Sequence, residues 1–134
     1  MKKLLPLRIA THGLIIIFSL TIVFHLLVIT GIIPSAIIWG GTISDTKQMI
    51  VMESISIALN LLMLAVVCTY AGIIRIAVNP TVLRIIFWIM FTLFLLNTIG
   101  NLAAKSSLET YIFTPLTLIL TFFCFRIAAF GFEK

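Results

Sequence analysis

The stretch Leu14–Ile29 reads LIIIFSLTIVFHLLVI, with Ser19, Thr21 and His25 its polar members. It lacks the alternation that a membrane-spanning barrel needs in strands of about 10 residues. A helix satisfies its own backbone hydrogen bonds in hydrocarbon, so the run reads as a transmembrane helix. Extended to its natural breaks it covers about residues 9–30, and about 20 residues cross a hydrocarbon core. Three runs of the same kind follow at about residues 49–72, 81–102 and 110–130. The expected fold class is all-α: an integral membrane four-helix bundle, one transmembrane domain over residues 1–134. Its short connections force neighbouring helices to be antiparallel.

Composition points the same way. Of 134 residues, 62% are hydrophobic and 10% charged, and the mean hydropathy is +1.29. Soluble domains carry about 45–50% apolar and about 25% charged residues. A soluble globular domain, a disordered chain and a nucleic-acid-binding module are thereby excluded, and the lipid bilayer becomes the first expected partner. The net charge of +5 needs no anionic ligand, because basic residues flanking spans set orientation and meet lipid headgroups.

Those bases fall on one side. Lys2, Lys3 and Arg8 precede span one, Arg75 and Arg84 surround the second loop, and Arg126 and Lys134 lie at the far end. The first loop has only Lys47 beside Asp45, and the third has Lys105 with Glu109. The positive-inside rule then predicts a multi-pass protein of the cytoplasmic (inner) membrane, with both termini and loop two in the cytoplasm. Tyr70 and Trp88 belong to the inner interface and Trp39 and Tyr111 to the outer one. The N-terminal bases resemble a signal peptide, but the apolar run is too long and no A-x-A site follows, so an uncleaved first helix is expected.

Loop one, residues 31–48, contains IIPSAIIWGGTISD, an apolar stretch too short to span. It reads as an interfacial or re-entrant segment, with Trp39 and the Gly40-Gly41 turn placed as a lid over the outer end. The run Gly31-Ile32-Ile33-Pro34 followed by Trp39-Gly40-Gly41, with Glu53 and Asn60 beyond it, resembles a group of small bacterial four-span membrane proteins. The likeness continues through Asn97–Asn101 and Ile112–Leu120. It implies a bacterial membrane protein and no particular activity.

Polar residues inside spans are costly and usually face a neighbouring helix or a cavity. At about 1.5 Å per residue, His25 lies about 8 Å and Glu53 about 6 Å inside the outer end; Asn60 is near the midplane and Asn97 about 8 Å deep. Asn101 and Lys105 follow at the mouth. Glu53, Ser56 and Asn60 share a helix face, as do Asn97, Asn101 and Lys105, and as do Thr110, Thr114, Thr117 and Thr121. Pointing these faces inward yields an outward-opening polar pocket with an apolar floor. Its candidate ligand residues are His25, Trp39, Glu53, Asn60, Asn97, Asn101 and Lys105. An imidazole at this depth needs a partner, and Glu53 at similar depth on the antiparallel neighbour supplies one. Such a pair can take up or release a proton near neutral pH.

Plainer readings stand beside these. The asparagines and threonines also suit interhelical hydrogen bonding. Glu53 is near enough to the headgroups to snorkel or cap span two, and Lys105 with Glu109 suits a solvated pair. His12 faces away from His25, so no haem site forms on span one. Cys68 and Cys124 are lone cysteines that can touch as packing, without CxxC or zinc spacing. No HExxH, GxSxG or Asp pair occurs. No catalytic residue, metal ligand or cofactor is therefore assigned. Gly100-x-x-x-Ala104 suits a close helix contact and a homo-oligomer seam, and Pro115 is expected to kink span four. The functional expectation is a solute- or proton-binding, transport-like protein or subunit with an unidentified small ligand. The alternatives are an accessory structural subunit and an intramembrane lipid-modifying enzyme using His25 and Glu53.

Overall fold

Proline, glycine and two short polar caps set the limits of the helices. The structure is a computed structural model and describes residues 5–38, 45–104, 107 and 109–133. Helix α1 (Leu7–Ile29) starts after Pro6 and ends where Gly31 takes φ +79°, its N–H reaching the Val28 carbonyl at 2.9 Å. A 3₁₀ turn at Ser35–Ile37 follows Pro34. Asp45 caps α2 (Thr46–Tyr70), its side chain accepting from the Lys47 N–H. That helix closes with Gly72 at φ +75°. The Gly72 N–H donates to Thr69 O and the Ile73 N–H to Cys68 O, the paired bonds of a Schellman ending. Asn79 caps α3 (Pro80–Leu102) through a 2.8 Å bond from the Thr81 N–H, and Pro80 occupies the first turn, where a missing N–H costs nothing.

Two boundaries differ from the sequence reading. Helix α2 begins at Thr46, not near 49, because the cap residue is Asp45. Pro115 does not kink a regular helix. A π turn over Glu109–Phe113 comes first, and α4 (Thr114–Phe130) starts there with Pro115 in its opening turn. Proline inside a regular helix would crowd the carbonyl four residues back, and the change of pitch over residues 109–113 relieves that conflict.

The fold is an all-α, four-helix membrane bundle: each span is long and apolar enough to cross a membrane, with mean hydropathy from 1.9 to 2.4. Its outer surface is apolar, with Leu20, Leu62, Leu96 and Phe122 well exposed, as a lipid solvent requires. In space the order is α2–α1–α4–α3: α1 packs on α2 and on α4, and α4 packs on α3. Helices α2 and α3 have little contact, with Tyr70 against Phe87 at 5.3 Å between ring centroids.

The half of the bundle nearest the termini is solidly packed. Leu14, Phe18, Val67, Phe87, Met90, Cys124 and Ile127 form its core, all at most 2% exposed. Where α1 crosses α4, Gly13 leaves room for the Phe123 ring. At the very end, side chains serve backbone carbonyls: Tyr70 O–H donates to Gly131 O, Arg84 Nε to Ala128 O and Arg126 Nε to Leu5 O, at 2.8 Å for the last. Arg126, counted among the orienting bases, is buried, with its guanidinium 5.1 Å from the Phe130 ring centroid. Tyr70 likewise belongs to this clasp, half-buried between Phe87 and Phe132.

Candidate ligand cavity

Antiparallel packing of α1 on α2 decides which polar groups meet. His25 lies about 6 Å from the end of α1 and Glu53 about 10 Å into α2. Their side chains meet, with His25 Nδ1 2.7 Å from Glu53 Oε2. Glu53 is fully buried and the imidazole is 14% exposed. Glu53 therefore neither snorkels nor caps α2: the cap is Asp45, and the carboxylate sits behind the imidazole. With Nδ1 turned to Glu53, the ring nitrogen left for other chemistry is Nε2.

His25 forms part of the wall of a cavity of about 760 Å³ to which all four helices contribute. Its polar lining comprises Thr21 and His25 from α1, Ser56 and Asn60 from α2, Asn97 and Asn101 from α3, and Thr117 from α4. Ile17, Met63, Phe94 and Leu120 line its deeper part. Many of the polar groups are already engaged by their own helices. Thr21, Ser56 and Thr117 donate to carbonyls one turn back, and the Asn60 amide N–H donates to Ser56 O at 2.8 Å. Asn101 Nδ2 reaches Thr117 Oγ1 at 3.4 Å, and Thr98 donates to the same oxygen at 3.0 Å, which ties α3 to α4. Asn97 differs. Its side chain, exposed in the isolated bundle, borders the cavity and makes no hydrogen bond among the described residues. Left dry, an unpaired amide in an apolar medium costs several kcal/mol, about 4–8 on the cyclohexane scale.

Compared with protein-family models, with curated proteins and with solved structures, the chain matches none.

Of the residues singled out from sequence, His25, Asn60, Asn97 and Asn101 line one cavity, and Glu53 touches it through His25. Trp39 and Lys105 lie outside the described residues, as do Gly40 and Gly41, so the expected lid does too. Gly100 and Ala104 are on the cavity wall, and a Cβ at Gly100 would meet open space. Cys124 is buried, Cys68 is half-buried, and both are free thiols. Exposed His12 has Nδ1 2.7 Å from Arg8 O. Among the described residues no group of three or more His, Cys, Asp or Glu is placed to hold a metal ion.

Sequence reasoning missed the apolar members of the mouth. Phe24 meets both His25 and Phe113 edge-on, with centroids 5.6 and 5.5 Å apart. Ile38, from the segment after the 3₁₀ turn, is buried against the cavity. No local pattern marks either residue: the role of Phe24 depends on how α1 meets the start of α4, and that of Ile38 on how loop one folds back.

Proposed function

We propose that the protein is a multi-pass protein of the cytoplasmic membrane, both termini cytoplasmic, whose cavity opens outward. It binds a small ligand or a proton there, as a transport-like protein or as a subunit of one. The observation that carries this reading is the unpaired Asn97 amide facing a cavity that also holds the buried His25–Glu53 pair. Polar groups used only for packing are engaged by neighbours, as Thr98 and Thr117 are. A cavity supplied with an imidazole, three amides not fully engaged and a buried carboxylate behind the imidazole is equipped to hold a polar group and to exchange a proton with it.

The test is cysteine accessibility in a Cys68→Ala/Cys124→Ala background. Asn97→Cys is expected to react with a membrane-impermeant maleimide added outside intact cells, whereas Phe87→Cys, in the packed core, stays unlabelled. Labelling of Asn97→Cys in everted vesicles alone overturns the orientation. Labelling from neither side overturns the pocket and favours the accessory-subunit reading, in which Thr98–Thr117 bonding typifies all the polar faces.

A further inference from the structure

Among the described residues the cavity has an unwalled side. In the order α2–α1–α4–α3, α1 and α4 form its back and α2 and α3 its flanks, and the flanking helices have little contact with each other. A bundle embedded in lipid therefore exposes this gap to acyl chains. The lining changes character along the membrane normal. His25, Asn97 and Asn101 stand toward the loop-one end; deeper, Ile17, Met63, Phe94 and Leu120 make the lining mostly apolar, with Asn60 the polar member on α2.

Water alone suits this space poorly. Its deeper lining is mostly apolar, and apolar cavities stay dry. The deeper half therefore calls for an apolar occupant, while the Asn97 amide calls for a hydrogen-bonding one. A single molecule with both parts satisfies the two demands. The polar groups of the described lining are amides, hydroxyls and an imidazole, which match a hydroxyl or amide head. We infer that the cavity receives a single-chain amphiphile from the bilayer, bearing a hydroxyl or amide head, which enters sideways between α2 and α3. The head lies against Asn97 and Asn101 and the chain runs along Leu59, Met63 and Phe94. This identification of the ligand class rests on the reading of the cavity as a binding site.

The experiment uses the full chain in phosphatidylcholine nanodiscs, with Trp39→Phe and Trp88→Phe removing native fluorescence. Phe24→Trp reports from the cavity and Phe122→Trp from the lipid-facing surface. The probe is a monoacylglycerol with a dibrominated chain, at a few mole per cent of the lipid. Quenching of Phe24→Trp is expected to saturate, while that of Phe122→Trp rises linearly. Adding Asn97→Leu is expected to raise the half-saturating fraction about three- to tenfold, the value of one hydrogen bond, and to leave the surface reporter unchanged. If Phe24→Trp misfolds by circular dichroism, Leu59→Trp replaces it. Quenching no steeper in the cavity than at the surface overturns the amphiphile. Aqueous acrylamide then separates the two ideas: if it quenches the cavity reporter, the pocket survives without the amphiphile, and if neither quencher reaches the reporter, both fall.

Discussion

Removing the carboxylate at Glu53 provides the sharpest test of how the two halves of α1–α2 are held. Glu53 is fully buried and its Oε2 lies 2.7 Å from His25 Nδ1. Two magnitudes compete. Neutral interhelical hydrogen bonds in membranes average about 0.6 kcal/mol and reach about 1.7, because the unfolded helices also find partners. A hydrogen bond to a charged group contributes about 1.5–3 kcal/mol, and stripping one partner from a buried pair leaves the other uncompensated. The short distance and full burial favour the upper range. Glu53→Leu is therefore expected to lower stability by about 2–3 kcal/mol, and Glu53→Gln, which keeps a hydrogen-bonding atom, by about 1 kcal/mol. The double variant His25→Phe/Glu53→Leu is expected to lose less than the sum of the two single variants, since each single change leaves a buried polar group uncompensated. Reversible unfolding in mixed micelles supplies the four corners of a double-mutant cycle. A coupling energy below about 0.3 kcal/mol, the usual error of additivity, refutes the pairing.

Gly13→Ala and Gly100→Ala each gain about 1 kcal/mol of helix propensity, but a Cβ at Gly13 would press into the Phe123 ring whereas one at Gly100 meets open space. The same unfolding assay is expected to find Gly13→Ala less stable than Gly100→Ala by about 1–3 kcal/mol, the cost of overpacking; equal stabilities contradict the close crossing of α1 and α4. Arg126→Leu removes the donor to Leu5 O and is expected to speed hydrogen exchange at residues 7–10 without changing it at the centre of α3. Arg126→Lys is expected to restore little of this protection, because the bond is made from Nε, where lysine has a methylene.

The spans were legible because a bilayer demands long apolar runs, and so was the His25–Glu53 pairing, because depth along antiparallel helices follows from counting residues. The start of α2 was misplaced because Thr46, Lys47 and Gln48 look like loop, although Asp45 is the kind of residue that caps a helix. The gap between α2 and α3 was not legible. It depends on the angles at which α1 meets its two neighbours, and equally apolar surfaces do not announce which of them faces lipid. The burial of Arg126 was not legible either: a base near the end of a span counts toward orientation whether or not a carbonyl has captured it.

That capture joins the two ends of the chain. Leu5 and Arg126 are separated by 121 positions, so on a ribosome the first helix is made long before its guanidinium exists. Until α4 emerges, the start of α1 has no donor from Arg126, and the helices already inserted lack the element that packs against both α1 and α3. Assembly of the bundle thus waits on α4, which follows the three helices it completes. A chain stopped before residue 114 would leave α3 without its main neighbour, and the half-made protein would present to the membrane's quality control a surface that the finished one never shows.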